Sequence, residues 1–270
     1  MSSFHTVELS DSQYENAGIR FLTIKSENLL GRGDICLYVP DVDRDVSDLP
    51  IYILLHGVYG SAWIWAMKGG AGQTACRMIE SKEIEPAIIA MPSDGLWGDG
   101  SAYRAHNSYH YDKWIVEDVI KAVRENVPQA ENNKAVCIGG LSMGGYGAMI
   151  LGMQHGDKFA AISAHSSLTE LSQMTMFVSD LIEAYEGTDS SLVDVIAVAQ
   201  DNLENIPPLR FDCGTSDTLI EANRQLHVDL ERLNIKHTYS EYDGGHEWSY
   251  WQKHVEKSYL FFDKHCSPRN

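Results

Sequence analysis

Nowhere in the 270 residues does an apolar run approach the ~20 that a bilayer-spanning helix requires, so no such helix is expected. Positive charge is scarce: 21 Lys and Arg stand against 38 Asp and Glu, for a formal net charge of −17. So acidic a surface repels phosphate backbones and anionic lipid, which argues against nucleic acid and membrane as partners. Only 8 prolines are present, and no Pro/Ser-rich, low-complexity or repeated segment divides the chain, so a single domain over 1–270 is expected. Cysteine is confined to Cys36, Cys76, Cys137, Cys213 and Cys266, an odd number with no Cys-x-x-Cys spacing, which points to reduced thiols and a cytoplasmic protein. The opening Met1-Ser2-Ser3-Phe4-His5-Thr6 lacks the basic and apolar regions of a secretory leader, although a mature form already stripped of one would read the same.

What is present is a series of short apolar runs separated by turn formers and helical patterns. Thr6 to Leu9, Ile19 to Ser26 and Asp34 to Val39 alternate like edge strands, with Gly31-Arg32-Gly33 and Asp41 to Asp48 as turns. Ile51 to Leu55, Ala87 to Met91, Ala135 to Ile138 and Phe159 to Ser163 read as strands of a mostly parallel sheet, the first three apolar enough to be buried on both faces. Tyr111 to Val127 predicts a helix with Trp114, Ile115, Val119 and Val123 facing inward. The fold class is therefore α/β, with antiparallel strands at the N-terminal edge of the sheet and helices on both faces.

Gly140-Leu141-Ser142-Met143-Gly144 lies between one of those strands and a helical pattern from Met143 to Met153. Gly-x-Ser-x-Gly arises readily by chance among 22 glycines, but strand, tight turn, serine, helix is the order of a nucleophile elbow. A serine hydroxyl is protonated at neutral pH. It attacks only if a neutral imidazole removes its proton and a carboxylate orients that imidazole.

In sheets that carry such an elbow, the acid and then the histidine follow the serine along the chain. Pro208 to Cys213 reads as a strand entering the polar turn Gly214-Thr215-Ser216-Asp217, which makes Asp217 the acid. A helix over Leu219 to Leu233 and a strand over His237 to Tyr242 follow, and Asp243-Gly244-Gly245 then presents His246 as the base. Asp212, Asp243 and Glu247 are weaker candidates, because the first lies inside a strand and the others crowd His246 in sequence.

The oxyanion of an acyl-transfer intermediate needs two N–H donors. The residue after the serine, Met143, supplies one, and the loop His56-Gly57-Val58-Tyr59-Gly60 after the strand Ile51 to Leu55 supplies the other. Val58 is the expected second donor, with Tyr59 as its alternative, and His56 is read as structural.

Taken together, Leu54-Leu55-His56-Gly57, Gly140 to Ala148, Cys213 to Asp217 and Tyr242 to Trp251 resemble an esterase family of the α/β-hydrolases. That family includes tributyrin-type esterases, esterase D or S-formylglutathione hydrolase, feruloyl and acetylxylan esterases and the mycolyltransferases. The resemblance spans most of the chain and implies an α/β-hydrolase fold in which Ser142, Asp217 and His246 are catalytic and Val58 and Met143 form the oxyanion hole. It departs from the S-formylglutathione hydrolases at Val58-Tyr59-Gly60-Ser61, where they carry a Thr-Cys pair, and at Tyr146, where they carry His. A short-chain carboxylic ester is therefore the expected substrate. Feruloyl or acetyl-carbohydrate esters and glutathione thioesters are alternatives, and an acyltransferase or a non-catalytic binding module is a more distant reading.

A loop over Ser93 to Tyr111 and a small cap segment over about 168–200 are expected to shape the pocket, with Tyr59, Trp97, Tyr109, Met174, Phe177 and Trp248 as substrate-binding candidates. His106 and His110 have the i, i+4 spacing of zinc ligands, but they lack the Glu of His-Glu-x-x-His and a third ligand, so no metal and no cofactor is expected. The expected partner is a small-molecule ester, and the sequence leaves a homo-oligomer open.

Overall fold

Side-chain alternation along the strand Ile51–Leu55 organises the molecule. Ile51, Ile53 and Leu55 join one hydrophobic cluster, while Tyr52 and Leu54 join another on the opposite face, and all five are buried. A strand apolar on both faces requires a cover on each, which here is a layer of helices. The computed structural model describes residues 2–42, 45–133, 135–179, 182–185 and 194–266.

In chain order the strands are β1 (Val7–Leu9), β2 (Ile19–Ser26), β3 (Gly31–Tyr38), β4 (Ile51–Leu55), β5 (Ile88–Pro92), β6 (Ala105–His106), β7 (Tyr109–His110), β8 (Val136–Leu141), β9 (Ala161–His165), β10 (Leu209–Gly214) and β11 (His237–Tyr242). Helices are α1 (Ile64–Met67), α2 (Ala71–Glu80), α3 (Tyr111–Lys113), α4 (Ile120–Asn126), α5 (Met143–Gln154), α6 (Val195–Asp201), α7 (Ile220–Arg232) and α8 (Trp248–Cys266). The central sheet has the order β1-β2-β3-β5-β4-β8-β9-β10-β11, and β6 pairs with β7 alone. From β5 onward every neighbouring pair is parallel, whereas β1, β2 and β3 pair antiparallel at one edge. This is the α/β-hydrolase architecture expected from the sequence.

Two corrections concern local chemistry. Gly31-Arg32-Gly33 is not a turn: β3 begins at Gly31, and the hairpin turns at residues 27–30, with Leu30 left-handed at φ 49°. Gly33 serves packing, because a Cβ there would fall inside the Trp114 ring, whose Nε1–H donates to the Ser93 carbonyl at 2.7 Å. The helix over Tyr111 to Val127 is likewise not continuous α, since Trp114–Val119 is a π turn between α3 and α4. The expected cap falls partly outside the described residues, at 180–181 and 186–193. Of the rest, Leu168, Leu171, Met174, Val195, Val198 and Ala199 belong to the main core.

Helix α5 approaches the sheet closely. A Cβ on Gly144 would overlap the Leu55 backbone carbonyl, an oxygen already held at 3.0 Å by the Trp65 indole N–H. Backbone cannot yield as a flexible side chain does, so Gly144→Ala is expected to cost roughly 3 kcal/mol and to lower the thermal midpoint by about 10 °C in a calorimetric scan. No described helix is long and apolar enough to cross a membrane.

Candidate active site

Strand β8 ends at Leu141 and α5 begins at Met143, so Ser142 makes the whole turn. Its φ of 54° and ψ of −122° are strained for an L-residue, a conformation that generally costs about 1–3 kcal/mol. The surroundings over-determine it. Its N–H donates to His165 O at 2.9 Å and its carbonyl accepts from Tyr146 N at 3.1 Å, while Gly57 lies so close that a Cβ there would sit 3.3 Å from Ser142 Cβ.

At the same sheet edge, the turns after β10 and β11 present Asp217 and His246. The Ser142 hydroxyl donates to His246 Nε2 at 2.9 Å, and His246 Nδ1–H donates to the Asp217 carboxylate at 3.0 and 3.1 Å. The ring hydrogens follow from this network, which leaves the neutral Nδ1–H tautomer with its lone pair toward the serine. The Asp217 side chain has no solvent exposure, and Leu219 N–H also donates to it at 2.9 Å. Burial alone would push this carboxyl up, but the hydrogen bond and charge of His246 and the Leu219 N–H hold it below the usual carboxylate range. Phe177 stacks on the His246 ring at 4.8 Å, and Trp251 meets it edge-on at 5.0 Å. These two rings fix the imidazole plane.

The loop after β4 distinguishes between the two candidate oxyanion donors. Tyr59 N–H already donates to Asp99 O at 2.8 Å, whereas the N–H groups of Val58 and Met143 meet no protein acceptor among the described residues. Val58 and Met143 also converge, since both side chains pack against Gly100. His56 is a brace: Nδ1–H donates to Gly57 O at 2.7 Å, and Nε2 accepts Asp94 N–H at 3.1 Å.

The other candidates divide. Phe177 reaches the His246 ring, and the Tyr59 hydroxyl donates to Phe177 O at 2.7 Å, which ties the loop after β4 to it. Trp248 packs edge-on against Trp251 and Trp65, one layer behind His246. Trp97 lies against His106 and Tyr185, and Tyr109 stacks on Tyr111, so the contacts of both are with the 93–111 loop and its neighbour. Met174 is a correction: it is fully buried in the core, and its carbonyl accepts from Phe177 N, so it positions Phe177 rather than lining a pocket. His106 and His110 are not grouped with a third ligand among the described residues, and the His106 ring is occupied by Ser101 O and Asn107.

Asp212, the weaker acid candidate, proves to be the hub of a separate buried network. It pairs with Arg210 and with His165 at 2.9 Å, and it accepts from Tyr250 Oη at 2.7 Å. The cluster runs on through Ser258, which lies 2.6 Å from His165 Nε2 and 2.7 Å from Ser163 Oγ. Burial opposes the Asp212 charge, but His165 and Arg210 outweigh it and hold the carboxyl far below the ordinary range. Sequence pattern gave little sign of this cluster, because its members come from three separate elements, two each, among otherwise apolar neighbours. Their common feature is facing each other across β9, β10 and α8.

The model of the family described as "Putative esterase" matches residues 26–262. A curated acetyl esterase of Caldicellulosiruptor saccharolyticus is 25% identical over 240 residues, 82% of this chain and 86% of that one. A solved ferulic acid esterase superposes with a TM-score of 0.78 at 20% identity, covering 98% of this chain and 100% of the other. An S-formylglutathione hydrolase from Agrobacterium tumefaciens gives a TM-score of 0.78 at 17% identity, with coverage of 99% and 100%. At those identities the two structures speak to the fold.

Proposed function

The chain belongs to this esterase family and is a serine ester hydrolase, and from that premise we propose that Ser142, His246 and Asp217 cleave short-chain acyl esters through an acyl-enzyme. The observation that carries the reading is the continuous row Ser142 Oγ, His246 Nε2, His246 Nδ1, Asp217, with every contact between 2.9 and 3.1 Å. As Ser142 Oγ attacks the ester carbonyl, His246 takes its proton and Asp217 steadies the resulting imidazolium. The N–H groups of Val58 and Met143 receive the charge that develops on the carbonyl oxygen. Collapse returns the proton from His246 to the departing alcohol. Water, deprotonated by the same His246, then releases the acid and restores Ser142. His246 must be neutral to accept that proton.

Access favours a small acyl group. Ser142 is 2% exposed, and Phe177, anchored by the Tyr59 hydroxyl, lies across the imidazole. The acetyl esterase relative supports the same reading. Hydrolysis of p-nitrophenyl acetate, butyrate, hexanoate and octanoate is expected to show kcat/KM highest at two to four carbons and reduced by about tenfold at eight, since an acyl chain that displaces Phe177 loses on the order of 1.4 kcal/mol. Octanoate as the best substrate would refute the short-chain assignment while leaving the serine mechanism intact.

One observation favours a second reading. Tyr59 within the oxyanion loop and Trp63 just after it have 63% and 47% exposure, which suits stacking on the aryl group or sugar of a feruloyl or acetyl-carbohydrate ester. Methyl ferulate and an acetylated sugar added to the same series decide between the two, because this reading requires one of them to exceed the butyrate kcat/KM.

A further inference from the structure

The five cysteines are scattered in sequence, yet two of them meet. Cys137, the second residue of β8, and Cys266, the last residue of α8, are 129 positions apart, and their sulfurs lie 2.6 Å from each other. Cys137 is fully buried, and burial followed by the neighbouring Cys266 thiol pushes its own thiol well above the ordinary range, so alone it would be inert. Cys266 is half-buried and opens onto a groove of about 630 Å³. That groove lies at the N-terminal ends of β4 and β5, opposite the edge that carries Ser142. Its lining holds Asp48, Glu83, Glu85 and Asp263 against Lys82.

We propose that Cys137 and Cys266 form an oxidisable dithiol pair, closed to a disulfide by small neutral organic disulfides that enter through this groove. The Cys266 thiolate attacks the reagent R–S–S–R, forming Cys266–S–S–R and releasing one RS⁻. Cys137 then loses its proton and attacks the Cys266 sulfur, expelling the second RS⁻ and leaving the intramolecular bond. The protein surrenders two electrons and two protons, and the reagent is reduced to two thiols. The four carboxylates favour a neutral reagent over an anionic one such as glutathione disulfide.

The bond would staple the strand that delivers the nucleophile to the far end of the helix that follows His246. The closed loop holds Asp217 and His246, so its main effect is to restrain the unfolded chain. Cys137 stands five residues before Ser142, roughly 16 Å along β8, so the chemistry at the serine is expected to persist.

The test incubates the full chain with 2-hydroxyethyl disulfide, blocks the remaining thiols with iodoacetamide, and maps the peptides without reduction. A Cys137–Cys266 cross-linked peptide is expected, with the thermal midpoint raised on the order of 10 °C and reversed by dithiothreitol. Turnover of p-nitrophenyl butyrate should change by less than about twofold, as for sites too far apart to couple. Cys266→Ser should abolish both cross-link and shift, and Cys76→Ser should abolish neither. A reagent adduct left on Cys266 without closure, or a midpoint shift that survives in Cys266→Ser, would overturn the proposal. So would closure by glutathione disulfide as fast as by the neutral reagent, as regards the groove.

Discussion

Ser142→Ala is expected to lower kcat for p-nitrophenyl butyrate by roughly 10⁶-fold and to abolish labelling by a fluorophosphonate probe, with the melting curve little changed. Removing Oγ removes the group to which His246 Nε2 is hydrogen-bonded among the described residues, and no hydroxyl replaces it. The proposed oxyanion donors, Val58 and Met143, remain, so slow turnover by water within the site is the floor. Stability separates this from damage to the fold. The alanine keeps a Cβ at φ 54°, so the strain of the elbow persists. Ser142→Gly loses the same activity but relaxes that strain. Relief of about 1–3 kcal/mol exceeds the entropy of an added glycine, about 0.4–1 kcal/mol, so the glycine variant should melt a few degrees above wild type. A glycine variant melting below the alanine variant by the glycine entropy alone would show that the elbow stores no strain. Retained labelling in the alanine variant would move the nucleophile elsewhere.

The succession of sheet strands along the chain and the turns that carry Ser142, Asp217 and His246 were readable in sequence because each depends on local signals: an apolar run, then a turn-forming cluster, then a polar side chain. Glycines at 57, 140 and 144 lie at the close approaches around the elbow, where a Cβ would meet neighbouring chain. Val58 was expected over Tyr59, but the physical reason was not in the local pattern, since it rests on where the Asp99 carbonyl lies, 40 residues further along. Met174 misled for the opposite reason. An apolar residue in a loop fits a pocket wall or a core equally well, and only tertiary packing decides. Helix α8 escaped notice beyond its first turn because its buried face is built from Trp251, His254, Val255, Ser258, Tyr259 and Phe262, a mixture that lacks the aliphatic periodicity of α7. Its polar members, Ser258 above all, complete the Asp212 network from the far side of the sheet.

Two aspartates five residues apart therefore invite opposite outcomes. In Asp217→Asn the amide can present its NH₂ to His246 Nδ1, which favours the tautomer with the proton on Nε2. That nitrogen then cannot accept from Ser142, and kcat is expected to fall about 10⁴-fold with the melting point moved by only a few degrees. Asp212→Asn leaves the Arg210 guanidinium buried without its counter-charge, an arrangement that generally costs about 3–5 kcal/mol, so the midpoint should drop by on the order of 10 °C. Its folded fraction should keep most of its kcat, because the contact from Asp212 toward the site is its backbone oxygen, which accepts from Ser166 N at 2.7 Å. Acid titration gives an independent reading. Both carboxyls are held below the ordinary value in the folded chain, so each adds stability that is complete above the unfolded pKa of about 3.9 and lost as pH falls through the folded value. Wild-type stability should therefore decline below about pH 4, with a shallower slope in Asp212→Asn, where one of the protons taken up on unfolding is gone. If Asp212→Asn instead abolishes turnover while Asp217→Asn merely melts early, the acid of the triad has been assigned to the wrong aspartate.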